Sequence, residues 1–279
     1  WIKSKRHIRR AYHFIKKQRA GKAPASSMLD MLVTAAAEEH SEMSDAQLRD
    51  EVVTMFLAGN ETTANLLSWT WHLLSRNPQV ERRLADEFFE VLGDRDPDFK
   101  DLARLPYARC VLLESMRLYP PVWGIPRIAL EDDHVGGYTI PKGSEIWVSP
   151  YVTHRHHSVW ENPEGFDPDR FAGNKQKRLP RCSYFPFGAG ARLCVGNDFV
   201  LLEATMVLAI LVRKFRLHLI PGHSAASKPK VTLMPAEGLI MRIQPQLTRD
   251  RKDIQAAPPA ETGTEGKCPF SENVENSPA

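Results

Sequence analysis

The sequence predicts a mainly α-helical protein with small β-sheets at one edge, an α+β class. Three long segments carry helical apolar periodicity with recognisable start and stop signals. Period-two alternation is confined to short runs between the second and third of them and beyond the third. No fixed-period repeat that would mark a solenoid or a propeller interrupts this pattern. With 279 residues, 42% of them hydrophobic and 25% charged, the chain can bury a large core, which excludes a disordered or fibrous class.

The first long helix is expected over residues 44–76. It opens with "SDAQ", where Ser44 and Gln47 have the spacing of a capping box, and it closes at Asn77-Pro78. At 1.5 Å per residue such a rod is about 45 Å long, enough to cross a domain. A second helix runs from about Tyr107 to Leu118 and is stopped by "YPP"; a third follows Gly196 and runs to about Lys214. Between them "GYTIPKGSEIWVSP" reads as strand, Pro-Lys-Gly turn and strand, a small hairpin. A turn-rich meander, "WENPEGFDPDRFAGNKQKRLPR", comes next. From residue 247 to 279 the apolar pattern is gone, and "AAPPAETGTEGK" reads as a flexible tail.

Net charge is only +3, but residues 1–29 carry many bases and no acid. The solvated face of an amphipathic helix explains this best; a membrane-surface or nucleic-acid contact is the alternative. Cys110, Cys182, Cys194 and Cys268 show no CxxC pairing, which argues against a zinc site or a disulfide framework and for a reducing, cytoplasmic location. The most apolar run, "FVLLEATMVLAILV", is broken by Glu203 and Thr205 and reads as a buried helix, not a membrane span.

The stretch "FPFGAGARLCVG" at 185–196 carries the chemistry. A lone cysteine in an apolar stretch is ordinarily an inert packed thiol. Here Gly188, Gly190 and Gly196 allow the backbone to turn sharply and aim N–H groups at the Cys194 sulfur, which favours a thiolate. Phe187 would shield the sulfur, and Arg192 would meet an anionic group beside a bound metal. No second Cys or His lies at ligand spacing nearby, so the metal must bring most of its own ligands, as haem does. The helix that follows adds its N-terminal dipole.

Phe187, Gly190, Arg192, Cys194 and Gly196 together resemble the haem-binding loop of the cytochromes P-450, F-x-x-G-x-R-x-C-x-G. Five fixed positions coincide by chance on the order of once in ten million starts. The resemblance implies haem b, iron protoporphyrin IX, with Cys194 as axial ligand.

Other segments agree. Glu114 and Arg117 stand at i and i+3 among Leu112, Leu113, Met116 and Leu118, so the pair should be partly buried and need further partners. It resembles the family's E-x-x-R, and Arg170 in "FDPDRF" would complete a structural Glu-Arg-Arg network. In "FLAGNETTAN" of the long helix, Ala58 and Gly59 would let a ligand lie close to the backbone. Thr62 by itself would back-bond to the Ala58 carbonyl. Against the family's A-G-x-[DE]-T-T, Thr62 takes the place of the oxygen-pocket threonine and Glu61 that of its acidic neighbour. By the same resemblance Val122, Trp123 and Ile125 face the substrate, Arg127 pairs with a haem propionate, and Val231 and Thr232 touch substrate from the last strand. His154 lies where the family often has a histidine–arginine or histidine–histidine pair; a metal site with His156 and His157 has little support. Cys268 in "GKCPF" reads as part of the tail.

The resemblance spans roughly residues 25–245 and implies the C-terminal portion of a cytochrome P-450 domain, residues 1–246, truncated on its N-terminal side. The expected function is a haem-thiolate monooxygenase that inserts one oxygen atom of O2 into an apolar small molecule. Electrons would come from a ferredoxin-like, flavodoxin-like or reductase donor, for which the basic run "KQKRLPR" offers a face. No nucleic-acid partner and no membrane span are expected, although an anchor upstream is compatible with the pattern. Two rivals stand beside this reading: a fragment without catalysis of its own, and a peroxide-driven haem-thiolate enzyme.

Overall fold

The computed structural model describes residues 5–21, 27–38 and 43–246. The tail from 247, with Cys268, lies outside them. Seven α-helices and eight short strands are described: α1 (Lys5–Arg19), α2 (Met28–Ala37), α3 (Asp45–Arg76), α4 (Pro78–Leu92), α5 (Pro106–Leu118), β1 (Ile125–Ile128), β2 (Asp133–Val135), β3 (Tyr138–Ile140), β4 (Glu145–Val148), α6 (Pro150–Thr153), α7 (Asn197–Lys214), β5 (Phe215–Leu219), β6 (Ser227–Pro229), β7 (Leu233–Pro235) and β8 (Met241–Pro245). The mainly helical class with marginal sheets is therefore the observed one.

Helix α3 starts at the predicted capping box: Gln47 N donates to Ser44 Oγ at 3.2 Å, and Ser44 N donates to Gln47 Oε1 at 2.8 Å. Asn77-Pro78 ends it, but the same dipeptide opens α4, a helix the sequence reading missed. Proline lacks the N–H that a helix interior needs, yet suits a first helical position where that donor would be unused. Val80, Leu84, Phe88 and Leu92 then form one buried stripe, and Gly93 at φ +57° ends the helix.

The expected hairpin over 137–150 is not formed. Strand β3 pairs antiparallel with β2, across a turn whose Gly136 and Gly137 both have positive φ, while β4 pairs with β1. A two-residue turn with both residues left-handed matches the twist of flanking strands, so the Gly-Gly turn captures β3 ahead of the Pro-Lys-Gly segment. That segment instead closes the outer pair, with Gly143 N donating to the Ala129 carbonyl at 2.8 Å. The remaining strands pair as β5 with β8 and β6 with β7.

The main core joins the C-terminal half of α3 to α4, α5 and α7, through residues such as Leu74, Phe88, Val111, Leu112 and Leu208. Helix α5 is buried on nearly every face, the pattern of a central helix. A smaller cluster of Ile15, Val33 and Leu48 joins α1 and α2 to the start of α3. Helix α1 buries Ala11, Ile15 and Gln18 and turns Arg9, Arg10, Lys16, Lys17 and Arg19 outward. Among the described residues no helix is long and apolar enough to cross a membrane.

Candidate functional site

Two charged residues lie in the C-terminal half of the buried helix α5. The Glu114 and Arg117 side chains are both 0% exposed. Arg117 uses all five guanidinium donors: Nε and Nη2 reach the Glu114 carboxylate at 2.7 and 2.9 Å, Nη1 reaches the His154 and Pro163 carbonyls at 3.0 and 2.6 Å, and Nη2 reaches the Gly165 carbonyl at 2.8 Å. Glu114 Oε1 also accepts from Asp167 N at 2.9 Å and has Arg170 Nε at 3.4 Å. Burial pushes the Glu114 carboxyl up, and the Arg117 bonds oppose it. One ion pair thus fixes the meander from 154 to 170 onto α5.

His154 extends that anchor to the cysteine loop. Its ring is fully buried, and Nε2 accepts from Phe185 N, the first residue of the loop, at 2.9 Å. Tyr184, one residue earlier, donates its hydroxyl to the Leu113 carbonyl at 2.7 Å. Burial lowers the His154 pKa from 6.5 to about 3. A neutral buried imidazole whose folded pKa lies below its unfolded value contributes stability above pH 6.5 and loses it progressively as pH falls from 6.5 toward 3. At pH 5 this one group should lower stability by about 2 kcal/mol relative to pH 7 or above. Urea midpoints at the two pH values check this; in His154→Gln, which keeps an acceptor for Phe185 N, the difference should shrink.

The loop itself turns at Gly188 and Gly190, with φ +78° and +72°, values that favour glycine. Cys194 N donates back to the Phe187 carbonyl at 3.0 Å, and Leu193 N to the Gly190 carbonyl at 3.0 Å. Phe187 packs on the main core, while Arg192 and Cys194 are exposed. Gly196 caps α7, and a Cβ there would stand 3.9 Å from the Cys194 sulfur. Large apolar side chains flank the thiol in the open: Leu193, Val195 and Phe199 are 53%, 77% and 61% exposed.

On α3, Thr62 Oγ1 donates to the Ala58 carbonyl at 2.6 Å and Thr63 Oγ1 to the Gly59 carbonyl at 3.0 Å. Two consecutive back-bonds compete with the helix ladder at Ala58 and Gly59. Glu61, half-buried, accepts the Thr232 hydroxyl at 2.5 Å. Thr232 is therefore buried and engaged, where the sequence expected a substrate contact; its neighbour Val231 is 81% exposed.

Trp123 is engaged as well. Its Nε1 donates to the Lys230 carbonyl at 2.8 Å and its ring stacks on Trp147 at 5.7 Å. A Cβ on Gly124 would come within 2.9 Å of that Trp147 ring, so the close approach needs glycine. Val122 is partly exposed, and Ile125 Cδ1 lies 3.9 Å from a Cβ built on Gly188, which brings β1 beside the cysteine loop. Arg127 is exposed and donates to the Pro126 carbonyl at 2.9 Å. Sequence reasoning did not single out Asn65, whose Nδ2 donates to Thr232 Oγ1 at 3.0 Å. A polar side chain four residues after Glu61, on the same helix face, was the available signal.

The family model described as Cytochrome P450 matches residues 3–245. Cyclooctatin synthase of Streptomyces melanosporofaciens is 43% identical over 191 residues, 68% of this chain and 42% of that protein. Cyclooctat-9-en-7-ol 5-monooxygenase of the same organism is 39% identical over 197 residues, 69% of this chain and 43% of that protein. The chain thus spans somewhat under half the length of these relatives. The crystal structure of the cytochrome P450DA heme domain superposes with a TM-score of 0.80 at 29% identity, covering 91% of this chain and 56% of that one.

Proposed function

This chain belongs to the cytochrome P450 family, and from that premise we propose that it serves as a haem-thiolate monooxygenase acting on an apolar organic substrate. The observation that carries the proposal is Cys194, an exposed thiol at the mouth of α7 in a loop turned by two left-handed glycines. Exposed Leu193, Val195 and Phe199 on both sides of it are an unusual concentration of large apolar surface, and a flat apolar macrocycle is the kind of group that would cover it. A donor set of one thiol, with no second metal-binding side chain within the loop, fits haem b in the same way. One relative is itself named a monooxygenase, which supports the reaction class.

In this reading Cys194 would hold the haem iron through its sulfur, with Gly196, the N-cap of α7, two residues further on. With haem bound, Phe187 would help shield the sulfur from water, and the exposed Arg192 and Arg127 are cations that would meet the two propionates. When bound, haem supplies the reductive activation of dioxygen. The chain supplies the rest. Ala58 and Gly59, small and on α3, leave room for a ligand against the helix. Glu61 carries protons toward that position, and Thr62, whose own proton is held by Ala58 O, offers a free lone pair that accepts a hydrogen bond there and so orients the group being protonated. Val122, Ile125 and Val231 form the apolar wall that orients the substrate.

Electrons come from an external protein donor of ferredoxin, flavodoxin or reductase type. The basic segment from Lys175 to Arg181, next to the cysteine loop in sequence, supports an acidic partner.

The testing experiment is a reduced, carbon-monoxide-bound difference spectrum after haem reconstitution. A strongly red-shifted Soret band is expected. An imidazole-like band, or no haem uptake, would overturn the proposal for this chain.

A further inference from the structure

Five hydrogen bonds stitch three segments of the chain together on the flank of α3. Asn65 Nδ2 donates to Thr232 Oγ1 at 3.0 Å, and Thr232 Oγ1 donates to Glu61 Oε1 at 2.5 Å. Trp69 Nε1 donates to the Leu233 carbonyl at 3.0 Å. Leu233 N donates to the Pro121 carbonyl at 2.8 Å, and Trp123 Nε1 to the Lys230 carbonyl at 2.8 Å.

Chemistry sets the direction of the first two bonds. The Asn65 amide N–H can only donate, so the Thr232 oxygen accepts there and its single proton is left for Glu61. The opposite amide orientation would set two acceptors, Asn65 Oδ1 and Glu61 Oε1, against one hydroxyl proton. Only the observed orientation satisfies both contacts. Asn65 and Thr232 are 7% and 5% exposed, so neither competes with water for these bonds, whereas the adjacent Val231 is open.

The bonds through Trp69, Trp123 and the Leu233 backbone already hold residues 230–233 in place. The Thr232 hydroxyl adds something different: a link from that segment to a single carboxylate oxygen. We propose that Thr232, oriented by Asn65, is a positioning residue that holds the Glu61 carboxylate in one rotamer and ties that rotamer to the exposed Val231 segment. The proposal rests on the reading of Glu61 as a proton-transfer group. A glutamate has three side-chain torsions, and without this bond the half-buried Glu61 carboxylate would sample several positions along α3. With it, the carboxylate keeps one fixed place relative to the exposed Val231 segment.

The test uses the haem-loaded protein and the variant Thr232→Val, which keeps the branched shape and removes the hydroxyl. The first readout is the carboxylate stretching band of Glu61 in the infrared, identified by its loss in Glu61→Gln. A narrow band is expected in the parent, a broadened and shifted one in Thr232→Val, and recovery in Thr232→Ser. The second readout is the share of reducing equivalents lost as peroxide. Thr232→Val should raise it at least about threefold through misplacement of the carboxylate, and adding it to Glu61→Gln should raise it no further, since both changes act through one group.

An infrared band unchanged in Thr232→Val, or additive effects in the double variant, overturns the proposal. If Thr232→Val does not accumulate as folded protein, Asn65→Ala removes only the orienting donor; broadening of the same band is then expected, and an unchanged band counts against the proposal. Should Glu61→Gln itself leave the coupling of electrons to product as in the parent, the proton-transfer reading of Glu61 fails. The infrared band still decides whether Thr232 holds the carboxylate.

Discussion

Glu114→Ala is expected to lower the stability of the folded protein by about 3–5 kcal/mol, a large share of the about 5–15 kcal/mol that holds a typical domain together. The size follows from what is left behind. Arg117 is 0% exposed, and its charge would stay in the core with three backbone carbonyls as its remaining partners. Asp167 N would lose its acceptor, and Arg170 the carboxylate beside its Nε. Since Arg117 pins the backbone at His154, Pro163 and Gly165, and His154 pins Phe185, loosening the pair loosens the cysteine loop. Urea denaturation checks the stability, and haem content of the purified protein checks the loop. A midpoint equal to the parent's, with normal haem loading, would refute the structural role.

Cys194→Ser is expected to do the reverse: stability almost unchanged, and the thiolate-type carbon monoxide spectrum lost altogether. The side chain is exposed, and exchanging sulfur for oxygen at an exposed site falls within about 0.5 kcal/mol of neutral. The serine hydroxyl is not deprotonated near neutral pH, so it cannot replace a thiolate ligand. Persistence of the red-shifted band in this variant would mean that another residue ligates the iron. The two variants separate the frame of the site from its reactive atom. One should act on folding and the other on the spectrum.

Much of the frame was legible from local signals. Ser44 and Gln47 mark the start of α3 because a capping box involves only four consecutive residues. Pro106 and the "YPP" stretch bracket α5 by the backbone chemistry of proline, and Gly196 marks the start of α7. Helix α4 is less legible because Asn77-Pro78 reads as a stop signal, although the stripe of Val80, Leu84 and Phe88 stands in plain sequence. The pairing of β3 with β2 is hard to read for a comparable reason: two turn signals compete, and the Gly-Gly turn closes the tighter hairpin.

By itself the sequence determined the family, the mainly helical class, the residue types of the cysteine loop and the buried pairing of Glu114 with Arg117. All of these rest on neighbours within about one to three helical turns or on a motif ten residues long. Tertiary structure alone decided which distant atoms complete each group. Arg117 meets carbonyls at 154, 163 and 165, His154 meets Phe185, and Thr232 meets Glu61 across 171 residues of chain. In sequence Thr232 is expected, by the family resemblance, only to touch substrate from the last strand. It is burial that removes water as its partner and leaves its hydroxyl to bond Glu61 and Asn65. Periodicity tells which face of a segment turns inward; only packing decides what that face finds there.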